Sequence, residues 1–395
     1  LQVLRQAEAG GSVLVLVEDP QRRAARDLEA VAAAEPELAG FEPDQAAALP
    51  ESVRGIRLNQ STVAILDRAG VTPFFGHSVW SQYVNQAAGR IIRLPDAHLM
   101  ATGAGKVAII DTGVDPRHPI LAGSLEGGYD FIEDRPGNAS ELVELNQSTV
   151  AILDAMADTL SGKEATRMNQ STVAILDQST VAILDGAAIP AAFGHGTMVA
   201  GLVHLVAPTA RIMPLRAFRA DGSGSLFDIV RAVYHAVDAG ARVINMSFSL
   251  DAPSKELEAA ISYANSRRVI CVASAGNSGS QAAVYPAAWR KAEGVGSTTD
   301  SDARSAFSNY GDGLVSVAAP GENLITAYPG SNYAAASGTS FSTALVSGAA
   351  ALLVELNPNL NQAQAAAALS RAVPVVLLGA GRIDLLQACS HARRR

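Results

Sequence analysis

The chain contains few cysteines, few aromatic residues and little charge for its length. Its 395 residues include two cysteines, 5% aromatic and 17% charged residues. Two cysteines form no disulfide framework, so they leave the redox compartment open. The net charge is −8 and no basic cluster occurs before the terminal arginines, which argues against nucleic-acid binding. No apolar run reaches the roughly 18 residues of a membrane span, so we expect none.

Hydrophobic residues make up 48% of the chain, enough for a large buried core. Apolar runs of strand length alternate with helical patterns, and the strand runs are apolar on both faces. Strands are predicted at 107–111, 211–215, 242–247, 269–273 and 314–318, and helices at 226–239 and 255–266. This alternation predicts an α/β fold with a mostly parallel central sheet covered by helices on both faces.

The motif Ser-Gly-Thr-Ser-Phe-Ser at 337–342 precedes a run of small apolar residues at 344–353. A serine at the start of such a helix lies near unpaired N–H groups and the positive end of the helix dipole. This setting suits a nucleophile whose attack on a carbonyl creates an oxyanion. Taken alone, the motif also fits a helix that is simply capped by Thr339 or Ser340.

Two further motifs favour the catalytic interpretation. His195 lies in Phe-Gly-His-Gly-Thr at 193–197, again before a run of small residues, and Asp111 ends the apolar strand 107–111 before Thr-Gly-Val. Together with Ser340 they supply a carboxylate, a base and a nucleophile in the chain order Asp, His, Ser.

This order and the flanking residues resemble the subtilisin-like serine proteases, the subtilases, over about residues 100–131 and 190–390. The resemblance implies a three-layer subtilisin-like fold and a serine endopeptidase acting on polypeptide substrates. Asp111 would orient His195, and His195 would take the proton of Ser340. Asn277, in Ser-Ala-Gly-Asn-Ser-Gly, would complete an oxyanion hole with the Ser340 N–H, although an Asn-Ser-Gly turn has the same composition.

The resemblance also implies which residues bind the substrate. The glycine-rich stretch 220–225 is similar to the segment that pairs with substrate as an added strand, and two further segments would form walls of the pocket for the residue before the scissile bond. The expected substrate-binding residues are Gly222, Ser223, Gly224, Ser247, Phe248, Ser249, Ala275 and Gly276. The family usually has glycine where Ser249 stands, so the side-chain preference stays open.

Residues 1–95 differ from the rest of the chain. A strand is predicted at 12–17, a helix at 21–34 and a second strand at 37–45 before a helical alanine-rich stretch. The position resembles that of a subtilase prodomain, a small α/β unit that blocks the active site, and a structural extension is the alternative. We therefore expect an N-terminal α/β segment at 1–95, a catalytic domain at 96–395, and an insertion at about 132–190.

Four copies of Gln-Ser-Thr-Val-Ala-Ile-Leu-Asp occur in the chain, one at 58–67 and three within 145–185. The copies are β-prone and are interpreted as duplicated strands, or alternatively as peptides that enter the substrate groove. Each copy ends like the strand at 107–111, so its aspartate rivals Asp111 for the triad. The rivals are Asp67, Asp154, Asp177 and Asp185. Only Asp111 precedes Thr-Gly-Val.

The favoured interpretation is a serine endopeptidase that needs no cofactor for its chemistry. Structural calcium is typical of the resembled family, but no ligands are assigned, since Asp115, Asp130 and Asp134 are scattered. The partners expected are polypeptide substrates and the chain's own N-terminal segment or repeats, and the family resemblance favours a secreted or periplasmic location. The alternative function is a protease-like binding or self-inhibited module. An esterase is disfavoured because Ser340 lacks a Gly-x-Ser-x-Gly motif.

Overall fold

The computed structural model describes residues 2–21, 23, 27–28, 38, 40–49, 70–137, 139–144, 190 and 192–393. All four repeat copies, and most of the predicted helix 21–34, lie outside these residues. The strands, in chain order, are β1 Gln2–Ala9, β2 Ser12–Glu18, β3 Ala46–Ala48, β4 Val71–Phe74, β5 His77–Trp80, β6 Gly105–Asp111, β7 Tyr129–Asp130, β8 Arg135–Pro136, β9 Ala210–Arg216, β10 Ser223–Ser225, β11 Val243–Met246, β12 Ile270–Ser274, β13 Glu293–Thr298, β14 Val317–Pro320, β15 Leu324–Tyr328 and β16 Asn332–Ala336.

Nine α-helices lie in the described ranges. They are α1 Ser81–Asn85, α2 Ala87–Ile91, α3 Leu94–His98, α4 His195–Val206, α5 Leu226–Asp238, α6 Lys255–Ser266, α7 Thr339–Leu356, α8 Gln362–Leu369 and α9 Leu385–Arg393, with a 3-10 helix at Glu141–Glu144.

The central sheet has eight strands in the order β14-β13-β12-β11-β6-β9-β7-β8. All neighbouring pairs are parallel except β7 with β8. Alternate residues of β6 face opposite layers: Val107 and Ile109 pack in a core cluster with α4 and α7, whereas Ala108 and Ile110 pack in a cluster with α5 and α6. Since both faces are covered, the strands are apolar throughout. The predicted α/β fold with a mostly parallel sheet between two helical layers is confirmed.

The carboxyl ends of the parallel strands define the functional edge of the sheet. Asp111 is the last residue of β6, the central strand, which pairs with β11 on one side and β9 on the other. The helix α7 runs behind the sheet through the first core cluster. It brings its N-terminus, with Ser340 as the second residue, into the same part of the fold.

Helix α7 is long and apolar enough to be compared with a membrane span. It is 18 residues long with a mean hydropathy of 1.4, which reaches the length and composition of a membrane span. However, 89% of that window is buried inside the fold. The helix is therefore apolar because it crosses a protein core.

The N-terminal segment differs in part from its prediction. The strand expected at 12–17 is present as β2, which forms a hairpin with β1. Residues 41–45 are not a strand, and the alanine-rich stretch after them forms the strand β3 instead of a helix. Strand β3 pairs antiparallel with β10, and this tertiary pairing outweighs the helix propensity of alanine.

Residues 74–101 share the first core cluster with α4 and α7, through side chains such as Phe74, Tyr83 and Ile92. The division at residue 95 and the insertion at about 132–190 stay predictions. The last predicted strand, 314–318, is displaced to β14 Val317–Pro320. Strand β14 lies at the edge of the sheet, where a proline is tolerated because no ladder hydrogen bond is required on its outer side.

Candidate active site

The histidine of the predicted triad begins helix α4 immediately after a tight turn. Gly194 has a φ of +85°, a conformation that favours glycine. A Cβ at this position would lie 2.6 Å from the ring of Tyr328. The turn therefore requires glycine for both its backbone conformation and its close packing, which explains the Gly-His sequence at the start of the helix.

His195 and Asp111 form a buried pair. The Nδ1 atom of His195 lies 2.8 Å from Asp111 Oδ1, and both side chains are almost fully buried. The backbone N–H of Thr112 donates to the same carboxylate oxygen at 2.8 Å. A carboxylate accepting from Nδ1–H fixes the orientation of the imidazole and puts the lone pair on Nε2, the arrangement that a general base needs.

Ser340 is held at the start of α7 by contacts with the segment after β11. Its hydroxyl donates to the Ser247 carbonyl at 3.1 Å, and the Ser247 hydroxyl donates to the Ser340 carbonyl at 3.1 Å. The next residue, Phe341, packs its ring against the His195 imidazole with centroids 5.5 Å apart. Ser340 therefore lies next in sequence to a side chain that touches the histidine.

The two helices that carry these residues pack closely, as their small residues suggest. A Cβ at Gly348 of α7 would lie 2.6 Å from Val206 Cβ of α4, so this glycine permits the helix contact. Gly201 of α4 has a different neighbour, because a Cβ there would lie 2.4 Å from Thr326 Oγ1. It permits the approach of β15 to α4.

Asn277 follows β12 and is bound to the N-terminus of α7. Its Oδ1 accepts hydrogen bonds from the Thr339 N–H at 3.0 Å and from the Thr339 hydroxyl at 2.8 Å. These two donors identify the bonded atom as the amide oxygen. The amide NH₂ is consequently the end of the side chain that does not bond Thr339.

The expected substrate-binding residues lie in three segments around this centre. Gly222, Ser223 and Gly224 lie in and next to β10. The residues 247–249 and 275–276 follow the neighbouring strands β11 and β12 at the carboxyl edge of the sheet. The ring of Phe248 is fully buried and packs on Phe218 with centroids 5.3 Å apart, so its side chain faces the core.

Strand β10 is paired with the N-terminal segment of the same chain. Ala47 lies opposite Gly224, and the Leu49 N–H donates to the Gly222 carbonyl at 3.2 Å. Two carboxylates bind the same segment to helix N-termini. Asp44 accepts from the Phe227 N–H at 3.0 Å, and Glu42 accepts from the Lys255 N–H at 3.0 Å, an arrangement favoured by the helix dipole.

Glu141 is a buried residue of this region that the sequence motifs did not indicate. Its carboxyl group accepts from Thr112 Oγ1 and from the Gly194 N–H, both at 3.0 Å. Burial raises the pKa of Glu141 to about 8. No local sequence pattern distinguishes this glutamate from the neighbouring Glu144, so only its position in the fold identifies it.

A second buried hydrogen-bond network was also not indicated by the sequence motifs. Asn245 on β11 donates to the Ser247 hydroxyl and accepts from the Ser347 hydroxyl of α7, both at 2.9 Å. Asn245 thereby connects Ser247, which bonds to Ser340, to helix α7, which carries Ser340.

For metal binding, the described ranges contain no group of three or more His, Cys, Asp or Glu side chains arranged to hold an ion.

A buried Asp–His pair at the carboxyl edge of a parallel sheet, beside a serine that opens a buried helix, defines the class of the protein. The protein is a serine hydrolase whose fold consists of a mostly parallel sheet between two layers of helices.

Comparison with known proteins identifies the family. The chain belongs to the subtilase family, whose sequence profile matches residues 103–385. It is 34% identical over 286 residues to thermitase from Thermoactinomyces vulgaris, covering 70% of this chain and 84% of the relative. It is 33% identical over 284 residues to subtilisin BL from Lederbergia lenta, covering 69% and 85%. The protein is thus a subtilisin-like serine endopeptidase, as the resemblance predicted.

Solved structures agree with this assignment. A cold-adapted subtilisin-like serine proteinase aligns with a TM-score of 0.54 and 26% identity, covering 72% of this chain and 88% of the other. A lanthipeptide protease aligns with a TM-score of 0.59 over 78% and 95% of the two chains. At 22% identity, the second likeness concerns the fold alone.

Proposed function

We propose that peptide-bond hydrolysis in this chain is carried by Asp111, His195, Ser340 and Asn277. The observation that carries the proposal is the buried 2.8 Å contact between His195 Nδ1 and Asp111 Oδ1. It lies beside the N-terminus of α7, where Phe341 touches the imidazole. The four repeat aspartates lie outside the described residues, so the proposal rests on the contact of Asp111.

In the proposed reaction, His195 Nε2 takes the proton of the Ser340 hydroxyl as Oγ attacks the substrate carbonyl carbon. The oxygen of that carbonyl becomes an oxyanion, which the Asn277 amide and the Ser340 N–H stabilise as donors. His195 then gives its proton to the leaving amine, and the C–N bond breaks. Water attacks the acyl-enzyme by the same route in reverse, which releases the acid and restores Ser340.

We also propose that the substrate backbone binds along β10 as an added strand, and that the chain's own N-terminal segment blocks this edge before maturation. The proposal is supported by the pairing of β3 with β10 and by the two carboxylates, Glu42 and Asp44, that dock the segment on α5 and α6. Extended peptides bind exposed strands through the same backbone hydrogen bonds. From the family resemblance we also propose that the protein binds structural calcium and that it is secreted or periplasmic.

Labelling with a fluorophosphonate tests the assignment of the nucleophile. The reagent modifies a serine only when a neighbouring base activates it, and mass mapping of the labelled peptide identifies the residue. We expect one label, at Ser340, and no label in the Ser340→Ala or His195→Ala variants. A label at another serine, or an unlabelled chain that still hydrolyses casein, would contradict the assignment.

A further inference from the structure

Glu141 lies between the two turns that carry the Asp111–His195 pair. Its Oε2 accepts from Thr112 Oγ1, which belongs to the residue after Asp111, and from the N–H of Gly194, the residue before His195. Its Oε1 is hydrogen-bonded to Thr197 Oγ1 on the first turn of α4. The side chain of Glu141 is 1% exposed, so water does not compete for these contacts.

The two turns are also in direct contact beneath this carboxyl group. The Gly196 N–H donates to Thr112 Oγ1 at 3.0 Å, and the Asp115 N–H donates to Thr197 Oγ1 at 2.8 Å. A Cβ at Gly196 would lie 1.9 Å from the Gly113 carbonyl oxygen. The turns therefore touch directly at Gly113 and Gly196 and are linked by the hydroxyls of Thr112 and Thr197, and Glu141 bonds to both turns.

We propose that Glu141 is a positioning residue for the triad, which holds the turn of Asp111 and the turn of His195 in the relative placement that the reaction requires. This inference rests on the proposed roles of Asp111, His195 and Ser340 and adds a residue that does not touch the substrate. A misplacement of about 1 Å at such a distance from the reacting atoms can lower turnover by about a hundredfold.

The ionisation state of Glu141 suggests which substitution preserves the contacts. Burial raises its pKa to about 8, with the negative charges of Asp111 and Asp115 acting in the same direction against the hydrogen bonds of Thr197 and Thr112. Burial and then the charge of Glu141 raise the pKa of the Tyr328 phenol on β15. At pH 7 the group is therefore mainly a neutral acid. Glutamine has the same shape, one acceptor oxygen and one donor group.

The test compares Glu141→Gln and Glu141→Ala with the native chain in steady-state hydrolysis of a peptide substrate at pH 7. The concentration of active sites is set by fluorophosphonate titration of Ser340. We expect Glu141→Ala to lower kcat by about ten- to a hundredfold. KM should stay within twofold, because Glu141 makes no proposed contact with the substrate. Glu141→Gln should retain kcat within about threefold, because it restores the acceptor for Thr112 and Gly194.

Glu293 provides a matched control. It is also a buried glutamate, its pKa is raised to about 7 by burial, and Gln362 donates to its Oε1 at 3.1 Å. It lies on β13, three strands from β6 in the sheet. Glu293→Ala should lower the melting temperature and leave kcat per active site within twofold of the native value.

The inference is overturned if Glu141→Ala has native kcat, if Glu141→Gln loses as much as Glu141→Ala, or if Glu293→Ala loses kcat to the same extent. A failure of the proposed function has a different signature, since the native chain would then lack the label at Ser340. Thermal unfolding of each variant, followed by circular dichroism, establishes that the kinetics refer to folded protein.

Discussion

Substitution of Asn277 tests whether this residue donates a hydrogen bond to the oxyanion or only stabilises the turn before helix α7. In the structure Asn277 Oδ1 accepts two hydrogen bonds from Thr339, whereas the proposed catalytic atom is the NH₂ group. Asn277→Ala removes both functions, whereas Asn277→Asp keeps an oxygen that can accept from Thr339 and replaces the donor by a negatively charged carboxylate oxygen. The two variants together therefore assign the effect to one side of the amide.

The expected magnitudes follow from these contacts. Loss of one oxyanion donor lowers kcat by about a hundred- to a thousandfold, or about 2.7–4 kcal/mol, with KM little changed, because the charge forms only in the transition state. Loss of the acceptor for the Thr339 N–H at the start of α7 costs about 1 kcal/mol of stability. Asn277→Ala should show both effects, and Asn277→Asp only the kinetic one.

The assay is steady-state hydrolysis of a peptide substrate, combined with thermal unfolding of each variant. Ser278→Ala serves as the control, because Ser278 is exposed in the same turn. Its hydroxyl donates a hydrogen bond to Asn309 Oδ1, which does not belong to helix α7. The reasoning is refuted if Asn277→Asp retains kcat within tenfold, or if KM rises by the factor by which kcat falls. Either result would make Asn277 a structural turn residue.

Three further predictions concern the carboxylate, the N-terminal segment and acid stability. Asp111→Asn should lower kcat by about ten-thousandfold and Asp67→Asn hardly at all, as measured on one peptide substrate; the reverse order would move the triad to a repeat. The double variant Glu42→Ala/Asp44→Ala loses two contacts at helix N-termini worth about 1 kcal/mol each, so the initial hydrolysis rate of the unprocessed chain should rise about tenfold or more, and an unchanged rate would contradict the blocking role. Burial lowers the pKa of His204 to about 3, so the folded state binds fewer protons than the unfolded state below pH 6.5, and this group costs about 2 kcal/mol of stability at pH 5 relative to pH 7. Burial raises the pKa of Glu141 and Glu293, which acts in the opposite direction, so the change in urea unfolding free energy between pH 7 and pH 5 is compared in the native chain and in His204→Asn. The change should be about 2 kcal/mol more favourable in the variant, and an equal change in the two proteins would contradict the prediction.

The sequence predicted the central layer well because burial on both faces leaves a continuous apolar signal. The helix predicted at 255–266 has these bounds in the structure, and the helix at 226–239 differs by one residue. The strand expected at 107–111 begins two residues earlier, at Gly105. Each of these elements has a local pattern that agrees with its tertiary environment.

The rest depended on contacts between segments distant in sequence. The alanines of β3 favour a helix locally, and only the edge of β10 makes them a strand. Glu141 has no motif, and its carboxyl group acquires a role because Gly194 and Thr112, 53 and 29 residues away, come together around it. The apolar composition of helix α7 is likewise explained only by the sheet and helices that cover it.

The most direct test of the central claim is hydrolysis of casein by the native chain and by the Ser340→Ala variant at equal concentration. The account predicts that the native chain cleaves casein and that the variant falls to about the background rate. Thermal unfolding of the variant should be nearly unchanged, because the substitution removes a single hydroxyl group, which donates to the Ser247 carbonyl. Casein hydrolysis by folded Ser340→Ala at a rate comparable with that of the native chain would contradict the account.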